Sequence, residues 1–222
     1  MSLVAVTDRT TAAVVAELSR VGGQVPNMKQ ISADMKALFI IDMQIGSFRP
    51  YSLRHDTLGV IDRINLLSNY FRTNNGHVIF IQHDGTKENS FLPNTEDWKL
   101  LPELTQHSSD IVIAKTANDA FYNTDLQAVL ARNNITELFI TGCATDFCVD
   151  ATIKSAMSKD YCITVVEDGH TTADRPYVAA PTVIQHYNWL WADMTPTKFK
   201  IRVVKTGNLL EPHADDNITN GN

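Results

Sequence analysis

Short apolar runs alternate with amphipathic stretches along most of the chain, which is the pattern of strands separated by helices. The runs are continuous in Val, Ile, Leu and Phe, as expected for strands that are buried on both faces of a parallel sheet. Predicted strands are 37–42, 77–82, 110–114, 136–141, 162–167 and 199–204. Predicted helices are 56–73, 96–101, 123–133, 147–159 and 176–191. This order predicts a three-layer α/β/α fold with a six-stranded parallel sheet and helices on both faces.

The same pattern suggests one main domain. Residues 37–210 carry all six predicted strands, and we expect them to form a single domain. Residues 1–36 form an extension with one predicted amphipathic helix at about 11–21, and residues 211–222 are a polar tail. Residues 83–109 are a long connection, and connections of this length are commonly functional.

Three side chains that could take part in catalysis lie at equivalent positions after predicted strands. Asp42 ends the first strand, Lys115 follows the third, and Cys148 lies in the first turn of the helix after the fourth. The carboxyl ends of parallel strands share one edge of the sheet, so these side chains are expected to converge. A helix N-terminus and a lysine both favour a thiolate. Cys148 is therefore a candidate nucleophile held as thiolate by Lys115, with Asp42 as the acid and base.

Each of these residues also has an ordinary interpretation. A carboxylate after a strand is often a loop or capping residue, a lone lysine is usually at the surface, and a free cysteine is often a buried hydrophobe. Only the combination, with all three at one edge of the sheet, favours a catalytic site.

The motifs around these residues resemble those of the isochorismatase-like cysteine hydrolase superfamily. This superfamily includes nicotinamidases, N-carbamoylsarcosine amidase-like enzymes and isochorismatases. The resemblance extends over about 37–204 and rests on Ile41-Asp42-Met43-Gln44, on Lys115 with Phe121 and Thr124 behind it, and on Thr141-Gly142-Cys143-Ala144-Thr145-Asp146-Phe147-Cys148-Val149.

The resemblance implies specific roles. Asp42, Lys115 and Cys148 would be the catalytic triad, and the Cys143–Ala144 peptide bond would be cis. The backbone N–H groups of Ala144 and Cys148 would then form an oxyanion hole. It also implies that the protein is a homo-oligomer, either a dimer or a tetramer.

Several other residues are candidates for a substrate pocket or a cofactor site. Aromatic and histidine side chains near the strand ends are candidate pocket residues: Phe48, His83, Phe121, Phe147 and His170. Residues 46–54 contain no His or Asp, unlike metal-dependent nicotinamidases, so we expect no catalytic metal. We expect no other cofactor either, because the chain has no Gly-rich phosphate loop. An anionic substrate group could contact Arg49, Arg54 or Arg175.

The favoured function is a cysteine hydrolase that cleaves an amide or related C–N bond of a small molecule through a thioester. Three alternatives stay open. One is an isochorismatase-type vinyl-ether hydrolase, and another is a non-enzymatic protein that binds a small molecule. The third is a thiol redox protein that uses Cys143 and Cys148, although their separation across a turn makes the disulfide geometry doubtful.

Composition limits the kinds of partner and the cellular location that we expect for this protein. The chain has 222 residues, of which 44% are hydrophobic and 20% charged, with a net charge of -6. This charge argues against a nucleic-acid partner, and no apolar run is long enough for a membrane span. Three cysteines and no apparent signal peptide predict a cytoplasmic protein without structural disulfides.

Overall fold

The computed structural model describes residues 35–211, and within them six strands form one sheet. Every strand pair is parallel, as the sequence predicts. The strands are β1 (Met35–Ile41), β2 (His77–His83), β3 (Ile111–Lys115), β4 (Ile135–Cys143), β5 (Cys162–Thr171) and β6 (Arg202–Val204). The predicted helix at 11–21 and residues 212–222 of the predicted tail lie outside the described residues. The first two residues of β1 fall within the predicted extension.

In the described part of the chain, five α-helices connect or follow these strands. They are α1 (Thr57–Thr73), α2 (Leu126–Arg132), α3 (Asp150–Ser158), α4 (Ala180–Asp193) and α5 (Thr206–Leu210). Within residues 35–211, no helix is both long and apolar enough to cross a bilayer.

The strand order is β3-β2-β1-β4-β5-β6. The chain therefore builds one half of the sheet outward from β1 and the other half outward from β4. In this type of sheet, the crevice outside the carboxyl ends of the two central strands is the usual place for a ligand. Residues that follow β1 and β4 are consequently the ones that the topology directs to a site.

Alternation along β1 explains why the sheet has helices on both faces. Phe39 and Ile41 belong to an apolar core with residues of α2, α3 and α4. Leu38 and Ile40, which point to the opposite face, pack in a second core with α1 and with the edge of α5. Successive side chains of a strand point to opposite faces, so a continuous apolar run serves both cores at once.

The largest departure from the predicted elements is in residues 83–109. The short helix predicted at 96–101 is absent, and this prediction was wrong. Leu100 instead forms an antiparallel bridge with Gln44, while Leu101 N–H donates to the Met43 carbonyl at 3.0 Å. Residues 96–99 form a turn whose carbonyl groups accept hydrogen bonds from the chain that leaves β1, a non-local pairing that helical spacing in the sequence does not reveal.

Two further elements differ near the C-terminal end of the sheet. β6 covers three residues instead of the predicted 199–204, and α5 was not predicted. The last long helix begins at Ala180 and not at 176, because Arg175 and Val178 pair in a tight turn before it.

Candidate active site

Asp42, Lys115 and Cys148 meet at the carboxyl edge of the sheet. Lys115 is the last residue of β3, Asp42 directly follows β1, and Cys148 lies in the π-helical turn Thr145–Val149 after β4. Nζ of Lys115 donates to Asp42 Oδ2 at 2.7 Å and to the Ala117 carbonyl at 3.0 Å, and it lies 3.3 Å from Cys148 Sγ. One ammonium group thus contacts both the carboxylate and the thiol.

Burial makes the Asp42–Lys115 pair strongly interdependent. Lys115 is 1% exposed and Asp42 is 6% exposed. Although burial alone lowers the pKa of Lys115, the negative charge of Asp42 and the hydrogen bond to it raise this pKa above its ordinary value, so the ammonium stays charged. Asp42 Oδ1 is buried and has no hydrogen-bond partner among residues 35–211. That oxygen is an acceptor with capacity for a proton.

Opposing effects act on the thiol of Cys148. Burial, and next the negative charge of Asp42, raise the pKa of the Cys148 thiol above its ordinary value, while Lys115 lowers it. Burial and Asp42 thus favour the neutral thiol in the resting site, whereas Lys115 favours the thiolate that the sequence predicts.

Two unusual backbone conformations lie just before the turn that carries Cys148, at the end of β4 beside β1. Gly142 has a φ of 115°, and a Cβ at this position would lie 2.2 Å from the Ile41 carbonyl oxygen. A residue with a side chain could not adopt this conformation so close to β1. The Cys143–Ala144 peptide bond that follows is cis. The Ala144 carbonyl then accepts hydrogen bonds from the N–H groups of Phe147 and Val149, at 3.0 and 3.2 Å, which fix the turn that carries Cys148.

A cavity of about 240 Å³ opens directly onto the thiol. Its lining residues are Asp42, Ser47, Arg54, His83, Phe91, Asn118, Cys143, Ala144, Phe147, Cys148 and Arg175. This volume is below the common range for drug-sized ligands, so the cavity fits a small molecule. Of the candidate pocket residues, His83 and Phe147 lie on its wall.

The other three candidate pocket residues lie elsewhere. Phe48 is completely buried in the core on the α1 side of the sheet. Phe121 stacks on Tyr161, with ring centroids 5.8 Å apart, in the opposite core. His170 is also buried, and it is absent from the cavity lining. These three residues are near the catalytic candidates in sequence or at the same edge of the sheet, but their side chains point into the protein interior.

His170 belongs to a hydrogen-bonded chain beneath the π-helical turn. Its Nε2 donates to Asn188 Oδ1 at 3.0 Å, so Nδ1 of the neutral ring accepts from the Thr145 hydroxyl at 2.9 Å. Burial lowers the pKa of His170 from 6.5 to about 4, although the hydrogen bond to Asn188 opposes this change. The ring therefore stays neutral at physiological pH and holds Thr145 at the start of the nucleophile turn.

An ion pair braces the outer side of the same turn. Arg175 donates to both carboxylate oxygens of Asp146, at 2.7 and 2.8 Å, and its guanidinium lies 4.9 Å from the ring centre of Phe147. Although burial opposes it, Arg175 lowers the pKa of the Asp146 carboxyl. Arg175 lines the cavity, but its charge is already matched by that carboxylate.

Asn118 is a neighbour of the nucleophile that the sequence did not predict. Its Oδ1 lies 3.5 Å from Cys148 Sγ and accepts from the thiol. The available signal was position, because Asn118 comes three residues after Lys115 in the loop at the same edge. Ser47 and Phe91, which also line the cavity, carried no comparable signal.

The cavity offers no evident metal-binding group. Among the residues that the structure describes, no three His, Cys, Asp or Glu side chains are grouped so as to hold a metal ion. The two acidic residues near the thiol, Asp42 and Asp146, are each paired with a basic side chain.

Comparison with known proteins identifies the family of this chain. Residues 36–195 match the family model of the isochorismatase domain, a span that covers most of the chain. The chain belongs to the isochorismatase family. The six-stranded parallel sheet is thus that of an isochorismatase-family domain, and Asp42, Lys115 and Cys148 lie within the matched residues.

Individual relatives share part of this domain. A streptothricin hydrolase of Streptomyces noursei is 30% identical over 149 residues, which are 67% of this chain and 53% of that protein. The chain therefore spans about half the length of that relative. The ureidoacrylate amidohydrolase RutB of Cronobacter sakazakii is 37% identical over 81 residues, or 36% of this chain and 35% of that enzyme.

Solved structures agree on the fold. The crystal structure of an isochorismatase family protein superposes with a TM-score of 0.70 at 29% identity, covering 77% of this chain and 98% of that one. A cysteine hydrolase from Pseudomonas syringae pv. phaseolicola 1448A also gives a TM-score of 0.70, at 20% identity, over 78% of this chain and 90% of that one. The second likeness concerns the fold alone.

Proposed function

We propose that this protein is a cysteine hydrolase that cleaves an amide or related C–N bond of a small molecule through a thioester on Cys148. One observation carries this proposal. A single buried ammonium, that of Lys115, lies 2.7 Å from the Asp42 carboxylate and 3.3 Å from the Cys148 sulfur at the wall of a small cavity. A base beside a nucleophile, oriented by a third group, is the arrangement that nucleophilic catalysis requires.

In the first half of the reaction, the thiol proton moves to Asp42 as sulfur attacks the carbonyl carbon of the substrate. Asp42 Oδ1 is the acceptor for this proton, since Oδ2 is engaged by Lys115. The backbone N–H groups of Ala144 and Cys148 stabilise the tetrahedral oxyanion. The C–N bond then breaks, and Asp42 returns the proton to the departing nitrogen, which leaves as an amine or ammonia.

In the second half, water hydrolyses the thioester. Asp42 removes a proton from the water as its oxygen attacks the thioester carbon, and the C–S bond breaks. The sulfur recovers the proton from Asp42, and the products are a carboxylic acid and the free enzyme. Lys115 stays charged throughout and stabilises negative charge wherever it resides in the site, first on Asp42 and then on sulfur.

The cysteine itself favours C–N hydrolysis over vinyl-ether hydrolysis. Protonation of a vinyl ether requires an acid but no thiol nucleophile, whereas here the sulfur lies within reach of a charged lysine and on the wall of the cavity. The names of two relatives, streptothricin hydrolase and ureidoacrylate amidohydrolase, support a hydrolytic reaction for this chain.

The test is a screen of small primary amides, ureido compounds and lactams, with release of the amine or ammonia as the readout. Cys148→Ala is expected to lower turnover of any accepted substrate by roughly 10⁴-fold or more, as for other nucleophile deletions. Acid quenching during turnover, followed by mass spectrometry of the intact protein, should show an acyl adduct on Cys148.

Cys162→Ala is the matched control, since Cys162 begins β5 and is absent from the cavity lining. It should retain wild-type turnover. Turnover that survives in Cys148→Ala but not in Asp42→Asn would contradict covalent catalysis and favour a vinyl-ether hydrolase. The absence of both product and adduct with every class of compound would favour a protein that only binds a small molecule.

A further inference from the structure

Arg54 brings an uncompensated positive charge to the cavity. Its side chain is half-buried and lines the cavity that contains Cys148 and Asp42. Among residues 35–211, no carboxylate lies within ion-pair distance of its guanidinium. A half-buried charge without a partner is costly unless another group compensates it.

The other described arginines show how unusual this is. Arg49, Arg63, Arg72, Arg175 and Arg202 each form an ion pair with at least one Asp or Glu. Arg132 has no such partner in the described part of the chain, but it lies on the exposed surface of α2, where water compensates its charge. Arg54 alone among these seven combines partial burial, a cavity and the lack of a carboxylate partner.

The chain holds Arg54 in a fixed orientation. Its Nε donates to the Ser47 carbonyl at 2.8 Å, which anchors one side of the guanidinium to the loop after β1. The Thr57 hydroxyl, which donates to the Tyr51 carbonyl at 2.7 Å, also lies 3.2 Å from the Arg54 carbonyl. No described residue accepts a hydrogen bond from its two Nη groups. These two groups form the fork that binds both oxygens of a carboxylate.

The positive charge of Arg54 acts on the part of the cavity wall that lies next to Cys148. Burial raises the pKa of the Cys143 thiol to about 12, and the charge of Arg54 acts in the opposite direction. Cys143 lines the same cavity and is bonded to Ala144, whose N–H group is part of the proposed oxyanion hole. A bound molecule that contacts Cys148 therefore lies in the field of Arg54.

We propose that Arg54 binds a carboxylate of the substrate, so that the enzyme acts on a small amide that also carries a carboxylate group. This inference rests on the proposed function. A carboxylate fits better than a phosphate, because the second arginine of the cavity, Arg175, is already neutralised by Asp146 and leaves one net charge to be matched. The cavity of about 240 Å³ limits the molecule to a small compound in which the two groups are close together.

A pair of alkylating reagents tests this without knowledge of the substrate. Iodoacetate and iodoacetamide have nearly the same shape, and only iodoacetate carries a carboxylate. We compare their alkylation rates at Cys148 by peptide mass spectrometry, with Cys162 as the internal reference. In Arg54→Met, the ratio of the iodoacetate rate to the iodoacetamide rate should fall roughly tenfold or more relative to wild type.

Arg132→Met removes an exposed arginine that is absent from the cavity lining and should leave this ratio unchanged. The comparison uses a ratio within each variant, so a change in the intrinsic reactivity of Cys148 cancels. An equal ratio in wild type and Arg54→Met overturns the proposal.

A binding measurement keeps the result independent of the nucleophile. Titration calorimetry with Cys148→Ala compares succinamate, which has an amide and a carboxylate, with its neutral diamide, succinamide. The carboxylate should bind roughly 10- to 100-fold more tightly, and Arg54→Met in the same background should abolish the difference. Equal affinities, or no binding of either compound, overturn the proposal. Failure of the proposed hydrolase function would show separately, as turnover that survives in Cys148→Ala.

Discussion

Two buried polar clusters lie at the same edge of the sheet, and they differ in how completely their hydrogen bonds are satisfied. The first, Asp42 with Lys115 and Cys148, leaves Asp42 Oδ1 without a partner in the described residues and faces the cavity. The second, Thr145 with His170 and Asn188, has both ring nitrogens of the histidine engaged and no contact with the cavity.

This difference distinguishes a cluster with a chemical role, the first, from a cluster that supports the fold, the second. A buried acceptor without a partner is costly to fold, and its presence beside a thiol and a cavity indicates a role beyond stability. A fully satisfied network of similar burial needs no such explanation, because it fixes the position of the turn that carries Cys148. Burial of polar groups alone would not have distinguished the two clusters.

The largest expected effect is a loss in the free energy of unfolding when the Asp42–Lys115 pair of the first cluster is broken. Lys115→Met leaves the Asp42 carboxylate buried without its partner, so we expect a loss of about 3–5 kcal/mol in the free energy of unfolding. Adding Asp42→Asn to this variant removes the unpaired charge and should recover much of the loss. Chemical denaturation of the two single variants and the double variant measures the coupling between them.

Lys154→Met is the control for this prediction. Lys154 is a half-exposed lysine that pairs with Asp150 one turn earlier in α3, so its loss should cost only about 0.5 kcal/mol or less. If the two lysine variants cost the same, or if the losses from Lys115→Met and Asp42→Asn simply add, the buried pair is not the coupled unit described above.

The supporting cluster makes a prediction about pH. The folded state holds the pKa of His170 at about 4, below its ordinary value of 6.5, because burial disfavours the charged ring. The unfolded chain therefore binds a proton in this range that the folded protein does not. Its contribution to stability is complete above pH 6.5 and is lost as pH falls towards 4, for a total of about 3 kcal/mol.

Urea unfolding between pH 7.5 and 4.5 measures this slope. His170→Gln should make the dependence on pH shallower than in wild type, whereas His186→Gln, which changes an exposed histidine of α4, should leave it unchanged. A slope that persists in His170→Gln would mean that other groups cause the acid sensitivity.

Topology explains which parts of the site the sequence could predict. Asp42, Lys115 and Cys148 each follow an apolar run, and in a parallel sheet the ends of such runs share an edge, however far apart they are in sequence. This convergence follows from the strand positions alone, and continuous apolar runs reveal those positions. The motifs of the family resemblance supplied the same residues independently.

Side-chain direction explains what the sequence could not predict. Phe48 and Phe121 are close in sequence to active-edge residues, but each turns into a core. The pairing of Arg175 with Asp146 joins the loop after β5 to the π-helical turn, and the turn at residues 96–99 depends on hydrogen bonds to the chain after β1. These features depend on non-local contacts that neither periodicity nor residue type encodes.

The protonation state of Cys148 was also beyond the sequence. A lysine and a helix N-terminus both suggested a thiolate, but the balance depends on how deeply the sulfur is buried and on the fact that Lys115 is shared with Asp42. Only the assembled site contains that information. The role of Asp42 as the acid and base, which the sequence predicts, is the same in either protonation state.

The most direct test of this account is the pH dependence of Cys148 alkylation by iodoacetamide in wild type and in Asp42→Asn, read site by site by mass spectrometry. We predict that wild-type Cys148 reacts with an apparent pKa above the usual value of about 8.5 for a free thiol. Asp42→Asn should lower that pKa, because Lys115 then acts on sulfur alone, while turnover is lost. A wild-type Cys148 with an apparent pKa well below the usual value, unchanged in Asp42→Asn, would contradict the account.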